Sequence, residues 1–155
     1  MESTKKNPLL KVSEVQIRYS PKFIPIERPK IDGSKTAERI LRQNWNANHI
    51  QAFEEFKVML LNRANCVLGI FQVSRGGVAG TVADPKLIFA VAIKTLASGI
   101  ILAHNHPSGN LSASQADVDL TKKIKEGAKL FDIQLLDHVI LTSKSYFSFA
   151  DEGLL

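Results

Sequence analysis

Apolar and polar positions recur with different periods along this chain, and each change of period marks an expected element. Val15, Ile17 and Tyr19 alternate with Gln16 and Arg18, a period of two that predicts a short half-buried strand. Pro21, Pro25 and Pro29 then keep the chain extended and out of helix as far as the turn signal Asp32-Gly33. From Ser34, read as an N-cap, Ala37, Ile40, Leu41 and Trp45 fall at helical spacing. A second short helical piece is expected over residues 49–53. Residues 56–61 and 67–73 read as apolar strands joined by a turn across 62–65, and 74–80 as a flexible loop. Asp84 followed by Pro85 opens a helix expected to run through about residue 98, with Leu87, Ile88, Val91, Ala92 and Thr95 on its apolar face. Residues 99–103 form a continuous apolar run, as a strand buried on both faces would. A polar loop follows over 104–111, then a helix over 112–130, a strand over 133–141 and a final edge strand over 146–149.

Strands and helices interleave, which predicts the α/β class with a mixed central sheet flanked by helices. The expected organisation is an extended Pro-rich basic arm over 1–33 and one domain over 34–155. A length of 155 residues suits a single core, and 45% hydrophobic with 23% charged residues is globular composition. No apolar run reaches the 18–20 residues a spanning helix needs, so no membrane partner is expected. The first residues lack an apolar core segment and cleavage site, and Cys66 is the sole cysteine. Those two features predict a cytoplasmic protein without a disulfide framework or a cysteine-built zinc site. The net charge of +5 sits mostly in Met1 to Lys30, which holds seven basic and three acidic residues. Such an arm offers a surface to an acidic partner, nucleic acid included, while the body is nearly neutral.

The chemistry concentrates in residues 104–117, HNHPSGNLSASQAD, directly after the buried strand. If strand geometry extends through His106, the two-residue period puts His104 and His106 on one side and Asn105 on the other. Pro107 and Gly109 turn the chain, and the next helix brings Asp117 back. Two imidazoles and a carboxylate make a zinc ligand set with one tetrahedral position open, as in catalytic sites. The structural alternative is that Ser112-x-x-Gln115 and Ser114-x-x-Asp117 are capping boxes, with Asp117 a first-turn carboxylate favoured by the helix dipole.

The spacing H-x-H, seven residues, S-x-x-D resembles the JAMM (MPN or JAB) motif of zinc metallopeptidases. HNHPSG, with LLDHVIL and YFSFADEGLL downstream, is similar to the RadC-like branch of that superfamily over roughly residues 34–155. The resemblance implies the JAB/MPN, cytidine-deaminase-like layer architecture. It implies Zn²⁺ ligation by His104, His106 and Asp117, and a hydrogen-bonding role for Ser114 at the tetrahedral intermediate. The family's upstream glutamate, in the pattern E-x-F, selects Glu54 over Glu55 as the general base. The reaction implied is hydrolysis of an amide or isopeptide bond in a peptide or protein substrate, through a zinc-activated water.

The second reading is a DNA-repair or DNA-processing factor, such as a metal-dependent nuclease. The third is a non-catalytic scaffold, against which the full ligand set speaks. RadC proteins carry a helix-hairpin-helix region ahead of this domain, whereas the 33 residues here show no paired-helix pattern. One metal and few carboxylates also suit phosphodiester cleavage poorly. Deaminase-type zinc chemistry lacks its H-x-E and P-C-x-x-C elements, and H-E-x-x-H and G-K-[ST] are absent. His138 is read as paired with Asp137 in the core or at a sheet edge, with contact to the metal ligands as the alternative. His49 is expected at the surface and Ser108 has no evident base. The oligomeric state is open, a homodimer included.

Overall fold

A computed structural model describes residues 13–16, 18–77 and 81–155. Five strands and three α-helices follow in the order α1 (Ser34–Gln43), β1 (Glu55–Leu61), β2 (Val67–Arg75), α2 (Pro85–Lys94), β3 (Gly99–Asn105), α3 (Gln115–Lys129), β4 (Gln134–Leu141) and β5 (Tyr146–Ser148). They build one mixed sheet in the order β2-β1-β3-β4-β5. The β3–β4 pair is parallel, crossing over through α3, and the other three pairs are antiparallel.

The continuous apolar runs of β1 and β3 make them the centre of the sheet, and every residue of both is buried. Alternation then sorts their side chains between two cores. Phe56, Val58, Leu60, Ile100 and Leu102 face α2 and α3, whereas Met59, Leu61, Ile101 and Ala103 face α1. The first core also takes in Ile88, Ala92, Ile124 and Ala128 of the two helices, and the second Ala37, Ile40 and Leu41 of α1. The β1–β2 turn is held by Asn62, whose Oδ1 accepts from the Ala64 and Cys66 amides at 3.0 and 2.9 Å. Asp84 caps α2 by accepting from the Lys86 amide at 2.9 Å, with Pro85 at the first helical position.

Several expectations shift. The piece over 49–53 is a run of turns, because Ala52 and Phe53 both donate to the His49 carbonyl and the pattern goes no further. Gly33, not Ser34, is the N-cap of α1; the Ser34 hydroxyl instead meets Tyr146 Oη and Asp151 Oδ2 at 3.2 and 2.6 Å. Helix α2 stops at Lys94, since Leu96 adopts φ 53° and the Ala97 amide reaches back to the Ala92 carbonyl, a Schellman ending. Leu87, expected on its apolar face, is 44% exposed. Strand β2 runs on to Arg75, so the loop expected from Ser74 starts later, and residues 78–80 of it lie outside the described residues.

In the arm, Ile17 of the expected strand lies outside the described residues, and its neighbours 13–16 and 18–20 are not in a strand. The chain lies along the body instead. Tyr19 Oη donates to the Leu68 carbonyl at 2.6 Å, and Lys30 forms an isolated antiparallel bridge with Cys66. One 3-10 turn, Pro25–Glu27, interrupts the stretch expected to stay non-helical, because proline's fixed φ suits the first position of such a turn. Among the described residues no helix is long and apolar enough to cross a membrane.

Candidate metal centre

Strand β3 continues two residues beyond its apolar run, so His104 belongs to the strand and Asn105 ends it. Alternation turns His104 to the α3 side, while Asn105 faces α1, where its amide donates to the Ile50 and Phe53 carbonyls and its Oδ1 accepts from the Glu55 amide. The His106 amide donates to the Leu141 carbonyl, which prolongs the β3–β4 pairing by one residue. His106 therefore returns to the face of His104, and the chain then bends through Gly109 at φ 81°. Helix α3 begins at Gln115, three residues later than expected, because Ser114 and not Ser112 caps it. Ser114 Oγ accepts from the Asp117 amide at 3.1 Å, and the Ser114 amide donates to Asp117 Oδ2 at 2.8 Å. That capping box aims the Asp117 carboxylate at the two imidazoles.

His104 Nε2 and His106 Nε2 lie 3.0 Å apart. Asp117 Oδ1 is 3.3 Å from the former and Oδ2 is 3.8 Å from the latter. Ligands about 2.0–2.1 Å from a tetrahedral zinc are separated from each other by about 3.3 Å, so the spacing fits one shared ion. His104 is fully buried, while His106 and Asp117 are partly open to solvent. The Asp117 carboxyl is held well below the usual carboxylate range. Burial opposes ionisation, but the His104 imidazole and the two Ser114 hydrogen bonds outweigh it.

The protons around the rings fit a metal as well. His106 Nδ1 lies 2.6 Å from the Asn110 carbonyl, which only accepts, so Nδ1 carries a hydrogen and Nε2 is the nitrogen that faces the cluster. For His104 the path is longer. The Thr121 hydroxyl donates its one hydrogen to the Asp117 carbonyl at 2.6 Å, so its oxygen accepts from His138 Nδ1 at 2.6 Å. His138 Nε2 is then placed to accept from His104 Nδ1 at 2.9 Å, and His104 Nε2 faces the cluster. His138 is fully buried, and desolvation, reinforced by His104, pushes its basicity well below the ordinary histidine value.

Glu54 and Glu55 part company at the start of β1. Phe56 pairs with His104 across the sheet and its ring stacks on that imidazole with centroids 5.8 Å apart. Glu54 lies two residues earlier, just ahead of β1. Its amide and carbonyl are bonded to Gly77 and Gly76, while its half-buried side chain has no partner among the described residues. Glu55 is buried on the α1 side and bonded to His49 Nδ1 at 2.9 Å. His49, expected at the surface, is thus a half-buried structural residue between Glu55 and Arg75.

The Asp137–His138 pair splits between the two sides. Asp137 accepts from Ser148 Oγ and from the His138 and Ala150 amides, and burial pushes its carboxyl up. His138 pairs in register with Leu102, two residues before His104, and so stands behind the cluster. Thr121 carried no signal in the sequence beyond its place one turn after Asp117.

A family model described as the RadC-like JAB domain matches residues 31–154. The chain is 50% identical over 101 residues to a UPF0758 protein of Flavobacterium johnsoniae, covering 65% of this chain and 44% of that protein. It is 48% identical over 103 residues to one of Porphyromonas gingivalis, covering 66% and 45%. A third, from Thermosynechococcus vestitus, is 43% identical over 126 residues, covering 80% and 48%. The chain thus spans about half the length of the curated relatives it matches.

Proposed function

The chain belongs to the RadC-like JAB domain family, and from that premise we propose that it is a zinc-dependent hydrolase of amide or isopeptide bonds. His104, His106 and Asp117 would hold the ion. The observation that carries this reading is the convergence of two imidazole nitrogens and a carboxylate, all within 4.8 Å of one another. Zinc held by such a set acts as a Lewis acid on a carbonyl and lowers the pKa of water from 15.7 to about 7.

The protein's own groups supply the rest. Glu54 takes the proton of the attacking water and returns it to the leaving amine, a role suited to an unpartnered, half-buried carboxylate. Ser114 spends its oxygen lone pair on capping α3, which leaves its hydroxyl hydrogen free to donate to the oxyanion of the tetrahedral intermediate. Substrate would be a peptide or protein segment whose scissile bond enters from the open side of His106 and Asp117.

The test is a peptide and isopeptide cleavage screen on zinc-loaded protein, run beside Glu54→Gln. Turnover by the wild type, with a loss of about 10²-fold or more in a variant that still binds zinc, supports the assignment. Undiminished turnover by Glu54→Gln contradicts it.

A further inference from the structure

We propose that His138 and Thr121 are positioning residues that fix the tautomer of His104 and thereby set the metal affinity of the centre. This inference rests on the metal reading above and extends it to two residues that touch no reacting group.

An imidazole that is to give its Nε2 lone pair to a metal must carry its hydrogen on Nδ1, and an Nδ1 acceptor has to be there to hold it. In this protein the acceptor is neither a carboxylate nor a backbone carbonyl but a second, fully buried histidine. A neutral histidine is an ambiguous partner, since either nitrogen can carry the hydrogen. Thr121 removes the ambiguity. Its hydroxyl hydrogen is committed to the Asp117 carbonyl one turn back in α3, so its oxygen faces His138 Nδ1 as an acceptor.

The relay therefore runs from His104 on β3 through β4 and ends on the backbone of the third candidate ligand. Two ligands from different elements are tied together by a path that does not pass through the ion. The His138 ring cannot turn to reverse the order, because it stacks on Phe149 with centroids 4.7 Å apart and meets Phe56 edge-on at 5.6 Å. Those rings give His138 no polar alternative to His104 and Thr121.

Two readouts test the proposal. Nitrogen chemical shifts of the histidines in metal-free protein report the tautomers, and competition with a chromophoric chelator reports zinc affinity. In the wild type His104 is expected as the Nδ1–H form. His138→Phe should let His104 populate the Nε2–H form and weaken zinc binding by about 10–100-fold. His138→Gln, which can still accept from His104 and donate to Thr121, should restore most of the affinity. Thr121→Val, a smaller change that keeps the volume, should weaken binding several-fold and serves if His138→Phe does not fold. An unchanged His104 tautomer with unchanged zinc affinity in folded His138→Phe or Thr121→Val overturns the proposal. If the wild type binds no zinc, the metal reading fails, whereas the tautomer measurement on metal-free protein still decides what His138 does.

Discussion

The same two strands carry a polar histidine–carboxylate cluster on each face of the sheet, one residue out of phase, and the two clusters have opposite characters. On the α1 side His49 lies between Glu55 and Arg75, while the second oxygen of the buried Glu55 carboxylate, Oε2, has no hydrogen-bond partner among the described residues. His49 Nδ1 faces Glu55, its Nε2 accepts from Arg75, and the Arg75 guanidinium lies over the Phe53 ring. Lys57, next on that face, donates to the Asn44 carbonyl and sits over Trp45. On the α3 side the Nε2 atoms of two rings and the Asp117 carboxylate converge on one point. The Nδ1 atoms of His104 and His106 are engaged by His138 and the Asn110 carbonyl, and both Nε2 atoms face Asp117. Charge and burial alone do not distinguish the clusters; the convergence of three ligand-type atoms within 4.8 Å of one another on the α3 side does.

Removing Asp117 should have the largest effect on that contrast. Asp117→Ala takes away the anionic ligand and one half of the α3 capping box, and elemental analysis should find the stoichiometric zinc lost. Ser114→Ala should lower turnover by about 10²-fold through the lost oxyanion donor. In the same variant, thermal unfolding should register a further cost of about 1 kcal/mol for the lost cap. On the other face, Glu55→Ala leaves the half-buried His49 without its acceptor and Lys57 without a nearby carboxylate. It should cost about 1–3 kcal/mol in denaturant unfolding yet leave zinc affinity within about twofold. A large drop in affinity there would erase the division between the faces.

The smallest expected effect concerns pH. Burial raises the Asp137 carboxyl above its ordinary value of 3.8, despite three hydrogen bonds that favour the ionised form. The folded protein thus holds that proton more tightly than the unfolded chain. The stabilisation is fully present below 3.8 and is lost as pH rises through the raised folded value. Asp137→Asn abolishes this titration, so denaturation midpoints should move in the variant's favour as pH rises from about 4 to 7. A gap independent of pH would show that Asp137 is not raised.

Much of the arrangement around residues 104–117 was legible because it is local. The two-residue period foretold that His104 and His106 share a face and that Asn105 leaves it, and the Ser114-x-x-Asp117 spacing foretold the capping box. Glu55, the alternative to Glu54, is buried on the α1 side against His49. His138 was harder to place, because periodicity fixes a face but not a neighbour. Only the parallel β3–β4 register, with its shift between Ile100 and Ile101, sets His138 beside His104 and leaves Asp137 to the other side. Helix ends were misjudged where the backbone decided: the left-handed turn at Leu96 and the choice of Ser114 over Ser112 as cap follow from hydrogen bonds, not from apolar spacing.

Metal analysis of protein purified without chelator decides the ligand assignment: one zinc per chain is expected in the wild type and none in Asp117→Ala. A metal-free wild type, or an Asp117→Ala variant that keeps a full equivalent of zinc, would contradict it.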